Sequence, residues 1–116
     1  MKHTISIWDL PNEQKRLRLL AWDKICQIVC NEYGVTQDDI VGRSNIKKVT
    51  HPRFIATILA KDVLGASLQE LQAFTNRKQH TSVLRAIERG RKYIKLYPEN
   101  AKAYARIIEQ IKNSYL

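Results

Sequence analysis

The side chains with the most chemistry to offer lie in one stretch of this 116-residue sequence. Arg77, Lys78, Gln79, His80, Thr81 and Ser82 follow one another, and each carries a polar group able to hydrogen-bond. From Asn76 to Lys95 there are seven basic residues (Arg77, Lys78, Arg85, Arg89, Arg91, Lys92 and Lys95) against the single acid Glu88. A face that met only water would mix the signs, so the imbalance points to a polyanionic partner. A second basic run, Arg43, Lys47, Lys48 and Arg53, contains no acidic residue at all. Set beside a helix N-terminus, such a run suits contact with a nucleic-acid backbone or minor groove.

Catalysis has no comparable footing. His3, His51 and His80 fall in three separate regions, and Cys26 and Cys30 do not form a Cys-x-x-Cys pair. No Ser/His/Asp arrangement or pair of spaced carboxylates stands out. The chain is expected to be no enzyme and to need no metal, nucleotide or other cofactor. The two cysteines, one helical turn apart in an apolar pattern, read as core thiols suited to a reducing cytosol. Trp8, Trp22, Tyr93, Tyr97 and Tyr104 read as packing residues rather than stacking platforms.

The overall charge agrees with the local picture. Net charge is +9, but residues 1–42 hold five basic side chains against six acidic, while residues 43–116 hold fifteen against five. A surface made basic for solubility has no reason to be so lopsided. No run approaches the ~18 apolar residues of a membrane span, and the opening MKHTISIWDL lacks the apolar core of a signal peptide. A cytoplasmic location is expected.

The elements that must position these residues read as helices throughout. After Pro11, Asn12 is placed to cap a helix with Leu17, Leu20, Ala21, Ile25, Ile28, Val29 and Tyr33 on its apolar face, stopped by Gly34. Thr36 and Asp39 form a capping-box pair opening a short turn that ends at Gly42. RSNIKKVTH is a basic loop without helical period, and Pro52 suits the first position of a helix running to Gly65. Ser67 and Glu70 make a second capping box, with Leu68, Leu71 and Phe74 behind it. TNRKQ interrupts, and a helix from about His80 carries Val83, Leu84, Ile87, Tyr93 and Ile94. It ends at Tyr97, because a residue before proline is pushed out of the α region. Pro98 opens a last helix with a stripe of Ala101, Tyr104, Ile107, Ile108 and Ile111 that must bury somewhere, on the N-terminal helix or on a second copy of the chain. A short capped helix, a turn of about four residues and a longer helix is the helix-turn-helix plan, whose second helix enters the major groove.

From about Trp22 to Tyr93 the sequence resembles the C-terminal DNA-binding domain of the bacterial chromosomal replication initiator DnaA. The likeness runs through ICQIVCNEYGV, QDDIVG, the basic loop, HPRFIATILAKDVLGASLQEL and HTSVLRAIERGRKYI. It implies that His80, Thr81 and Ser82 face the major groove, that an arginine of the basic loop reaches the minor groove, that Arg53 and Arg89 take phosphate-contact positions, and that Lys61 stands at the lysine of the family's ALAK string. Gln79 stands where the family has an acidic residue, Asn76-Arg77 where it has Gly-Gly, Asn45 where an arginine enters the minor groove, and Phe54 where it has a polar residue. DNA binding is expected to survive these changes; the family's target box is not carried over. The family's phosphate loop, GxxxxGK[ST], is absent from the sequence, so the chain is expected to be the binding module with an added C-terminal helix.

The expectation is therefore an all-α helix-turn-helix bundle of about six helices. Residues 1–21 form an N-terminal extension and helix start, 22–96 the DNA-binding domain and 97–116 the C-terminal helix. Its expected function is sequence-specific binding of double-stranded DNA at a replication origin or a regulatory or mobile-element site, in a bacterial or phage-type nucleoid. The contact residues are expected to be Arg43, Asn45, Lys47, Lys48, Arg53, Lys61, Arg77, Lys78, Gln79, His80, Thr81, Ser82, Arg85 and Arg89. The competing expectation is a non-enzymatic adaptor that binds a partner protein, or a second copy, through the C-terminal helix.

Overall fold

The computed structural model describes residues 12–115, with side chains from 13 to 113. His3, Trp8, the cap at Asn12 and the first eleven residues of the N-terminal extension lie outside what is described. Six helices follow one another: α1 (Asn12–Tyr33), α2 (Gln37–Val41), α3 (Lys47–Leu64), α4 (Leu68–Thr75), α5 (His80–Leu96) and α6 (Pro98–Tyr115). No strand occurs among the described residues, and no helix there is long and apolar enough to cross a membrane.

The local signals explain most of the boundaries. Gly34, at φ 69°, ends α1 in the left-handed conformation that a glycine adopts without steric cost. Both capping boxes form: the Thr36 hydroxyl accepts from the Asp39 amide at 3.2 Å, and the Ser67 hydroxyl accepts from the Glu70 amide at 3.1 Å. Pro52 is a correction. The helix it was expected to open begins at Lys47, and Pro52 lies inside it. Val49 is buried and draws the preceding turn inward, and the Ile46 carbonyl accepts from the amides of both Val49 and Thr50. Lys47 and Lys48 therefore occupy a first helical turn, and the irregular segment shrinks to 42–46.

Helix α3 runs through the centre, against α1, α2, α4 and α5, and from His51 to Ala60 every residue but Phe54 is buried. Ile55, Ala56, Ile58, Leu59 and Ala60 give it the apolar run such a position requires, while buried His51, Arg53 and Thr57 are hydrogen-bonded. Around it lie Trp22, Ile25, Cys26 and Val29 of α1, Ile40 of α2, Leu71 and Phe74 of α4, Val83 of α5, and Ile107 and Ile111 of α6. Trp22 stacks on Phe74 with centroids 5.2 Å apart, as its reading as a packing residue anticipated. Burial pushes the Cys26 thiol far up, so it stays protonated and inert. Leu17 and Leu20, expected on the apolar face of α1, are instead 53% and 51% exposed. The helix is turned so that Arg18 faces inward: its guanidinium grips the buried carboxylate of Glu70 and donates to the Leu64 carbonyl at 3.0 Å.

The stripe of α6 is covered by the same chain, since α6 packs on α1 and α5. Ile107 and Ile111 are buried, Tyr104 and Ile108 are half-buried, and Ala101 faces solvent. A buried polar group locks the arrangement. The Tyr33 hydroxyl donates to Asn100 Oδ1 at 2.8 Å, and Asn100 Nδ2 donates to His51 Nδ1 at 3.0 Å. Burial first, then Glu32, pushes the Tyr33 hydroxyl up to about 12, so it keeps the proton it donates.

Candidate nucleic-acid interface

The turn between α4 and α5 spans residues 76–79 and sets the direction of α5. Asn76 caps α4 at φ 55° and ψ 47°. Asparagine tolerates the left-handed region better than most residues, which is how this turn does without glycine. The Arg77 amide then donates to the Gln72 carbonyl at 2.9 Å and closes the turn.

At the head of α5 the polar run emerges into solvent. Lys78, Gln79, His80 and Thr81 are exposed and Ser82 is half-buried. Gln79 occupies the N-cap position, but its side chain makes no capping bond; its Oε1 meets only the Thr81 hydroxyl, at 3.5 Å. Gln72, Lys78, Gln79, His80 and Thr81 together rim a shallow hollow. Apart from two long contacts at 3.5 Å, Thr81 to Gln79 and Gln72 to the Arg77 carbonyl, these are polar side chains open to solvent at a helix N-terminus, the kind of group that reads base edges.

The second basic element is the 42–46 segment with the first turn of α3. Arg43, Asn45, Lys47 and Lys48 are all exposed. Lys47 also lies over the Tyr97 ring, its nitrogen 4.7 Å from the centroid. Between this element and α5 runs a cleft of about 190 Å³. It is lined by Asn45, by Arg53 of α3, by Arg77 of the turn, and by Ser82, Arg85 and Arg89 of α5. Four of the residues lining it are arginines. Arg85 and Arg89 are exposed and have no ion-pair partner among the described residues.

Arg53 and Arg77, expected as DNA contacts, have guanidinium groups that donate to the protein's own backbone. Arg53 is 5% exposed, and each of its three guanidinium nitrogens donates to a backbone carbonyl of residues 39–44. Arg77 is half-buried and reaches carbonyls of the same segment. Burial, with the neighbouring cation second, lowers the pKa of each: Arg77 acts on Arg53, and Arg43 acts on Arg77. Arg43, Arg77 and Arg53 thus form a chain of neighbouring positive charges.

Lys61 is exposed but stands in the last turn of α3, ~20 Å along the axis from the first turn at the helical rise, and it does not line the cleft. Arg91, counted in the basic run of α5, is paired with Asp62 at 2.8 Å. Desolvation raises the Asp62 carboxyl, but hydrogen bonds from Arg91 and from Tyr104 outweigh it and hold the group below its ordinary value. Sequence reasoning missed that the basic residues fall into separate sets. The available signal was helical phase, since 85 and 89 share a face that 91 does not.

Residues 22–89 match the family model described as the bacterial dnaA protein helix-turn-helix. The match covers the second half of α1, the loop, the turn and the first half of α5, and it stops before α6. The chain is 36% identical over 61 residues to the chromosomal replication initiator protein DnaA of Limosilactobacillus reuteri (strain DSM 20016), covering 53% of this chain and 14% of that protein. Against the same-named protein of Latilactobacillus sakei subsp. sakei (strain 23K) it is 36% identical over 70 residues, 60% of this chain and 16% of the relative. With that of Xanthobacter autotrophicus (strain ATCC BAA-1158 / Py2) it shares 33% over 79 residues, 68% and 15%. The chain thus spans about a seventh of the length of the curated relatives it matches.

Proposed function

The chain belongs to the bacterial DnaA helix-turn-helix family, and on that premise we propose that it binds a specific double-stranded DNA sequence. Family membership implies DNA binding; the choice of sequence and the docking are our reading. In it, α5 lies in the major groove with Gln79, His80, Thr81 and Ser82 toward the base edges. The 42–46 segment crosses the adjoining backbone, with Arg43 and Asn45 against the minor groove and Lys47 and Lys48 on phosphates. Lys78, Arg85 and Arg89 hold the strand between the two elements. The role is that of a binding module without a catalytic step of its own, acting at an origin or at a regulatory or mobile-element site.

The observation that carries this reading is the cleft of about 190 Å³ lined by Arg85 and Arg89, which have no ion-pair partner among the described residues. It separates the two elements that would enter adjacent grooves, and the strand dividing two grooves is a phosphodiester chain. The apolar stripe of α6 packs largely on α1 and α5, which supports the DNA-binding reading over an adaptor that binds through α6. A salt titration tests the proposal. The protein should bind duplex DNA with steep log–log loss of affinity as salt rises, and Arg85→Gln with Arg89→Gln should flatten the slope by nearly two units, at about 0.9 per phosphate contact. Negligible affinity for duplexes at low salt would refute it. Selection from random duplexes then defines the site.

A further inference from the structure

A dense set of hydrogen bonds lies beneath the basic loop rather than on it. Of residues 39–44, all but Arg43 offer a carbonyl to one of two guanidinium groups. Arg53 donates through Nη2 to Asp39 at 2.9 Å, through Nε to Ile40 at 3.0 Å and through Nη1 to Ser44 at 2.9 Å. Arg77 donates through Nη2 to Gly42 at 2.7 Å and through Nη1 to Val41 at 3.3 Å.

The chemistry of α2 explains why cations collect here. A helix leaves its last four carbonyls without partners, and α2 has only five residues. Nothing follows it to continue the ladder, because 42–46 is irregular. A planar guanidinium, with five donors in a fixed fork, satisfies several such oxygens at once, and a positive charge is favourable at a helix C-terminus. Lysine, a flexible point charge with three donors, cannot reproduce the fork. The two arginines also come from different places. Arg53 belongs to the central helix, whereas Arg77 belongs to the turn that carries Gln79 and His80. Arg77 therefore ties the base-facing end of α5 directly to the loop.

We propose that Arg53 and Arg77 are positioning residues for DNA recognition. They fix the backbone of residues 39–44 so that Arg43 and Asn45 are presented to the minor groove in register with α5 in the major groove. This rests on the DNA-binding reading above and gives these two arginines a role other than phosphate contact.

The test is a mutant cycle on the full chain with a selected duplex. Arg53→Lys keeps the charge and removes the fork; the companion variant Arg43→Ala/Asn45→Ala removes what the fork is held to position. Arg53→Lys alone should weaken binding about tenfold, a coupling of ordinary size for residues in one network. In the Arg43→Ala/Asn45→Ala background the same change should cost less than about twofold. Base preference should relax only at positions under the loop and stay intact under α5, which general loosening of the fold would not produce. If Arg53→Lys does not fold, as its circular dichroism would reveal, Arg77→Lys at a half-buried site carries the same cycle. Unchanged affinity, or penalties that multiply in the combined variant, would overturn the proposal. Absence of duplex binding by the unaltered protein would instead overturn the DNA-binding reading beneath it.

Discussion

Gln79 holds the N-cap of α5 with a side chain that caps nothing. Ser, Thr, Asp and Asn are the residues that serve there, and glutamine is not among them. A residue that gives up a cap at an exposed helix start is well explained if its amide is needed elsewhere. Glutamine sets an acceptor and a donor side by side, which fits the N6 and N7 edge of adenine; a carboxylate only accepts, which fits the cytosine amine. Gln79→Asp is therefore expected to do two things. It should raise the unfolding temperature by a few degrees, since a good cap contributes about 1 kcal/mol. It should also move the preferred base at one position from adenine toward cytosine, by about five- to a hundredfold. Duplexes varied base by base, with both proteins, read this out. A higher melting temperature with unaltered preference everywhere would reduce Gln79 to a poor cap. The identities of Gln79, His80 and Thr81 and their exposure at a helix start were legible in the sequence. The destination of Arg53 was not: nothing in its neighbours announces that α2 would end beneath it with unpaired carbonyls.

At the level of elements, the proposed docking needs α5 at a fixed angle and depth, and Gly90 lets α5 approach α3 closely. A Cβ on Gly90 would stand 2.4 Å from Ile58 Cδ1 and 3.1 Å from the Phe54 carbonyl oxygen. Ile58 is fully buried, and the Phe54 oxygen is backbone of the central helix. Glycine inside a helix loses about 1 kcal/mol relative to alanine, so by propensity alone Gly90→Ala would stabilise. Overpacking of roughly 1–3 kcal/mol acts against it. The contact distance decides for overpacking, and Gly90→Ala is expected to lower the unfolding temperature by several degrees. Ile58→Val removes the nearest atom, so adding it to Gly90→Ala should recover part of the loss; denaturant melts of the three variants check this. No recovery would mean that the Phe54 carbonyl, not Ile58, limits the approach. Helix type and most ends were readable from Thr36, Ser67, Gly34, Gly65 and Pro98, because capping and φ preferences act locally. The start of α3 and the rotation of α1 were not. Val49 is drawn inward ahead of Pro52, and Arg18 turns inward toward Glu70; both depend on partners distant in the chain.

At the scale of the whole molecule, the stripe on α6 announced in the sequence that it must bury, but its partner was not legible, since an apolar face fits any other. Polar groups give the choice its specificity. Asn100, buried in α6, bonds Tyr33 of α1 and His51 of α3, so three helices meet at one amide. The bond to His51 requires an acceptor at Nδ1, and the ring is therefore neutral with its proton on Nε2. Protonation would set two donors against each other. The surroundings agree: burial first, then Lys47, lower the His51 pKa, with Glu99 opposing from α6 and the Tyr93 and Tyr97 rings packed alongside. The sign of the pH effect follows. Above the unfolded value of about 6.5, neither state binds the proton and His51 contributes no slope. Below it, the unfolded chain takes up a proton that the folded chain refuses, so stability falls as pH drops and goes on falling until the lowered folded value is reached. Urea midpoints should decline from about pH 6.5 downward, ahead of the carboxylates, which begin to matter nearer pH 5. His51→Asn keeps a side-chain oxygen to accept from Asn100 but cannot titrate. Subtracting its profile from that of the unaltered protein isolates the histidine, since His80 is exposed and common to both. The difference should grow as pH falls below about 6.5 and be flat above it. Parallel profiles across that window would mean that the junction tolerates the charged ring, and that Asn100 does not hold α6 through His51.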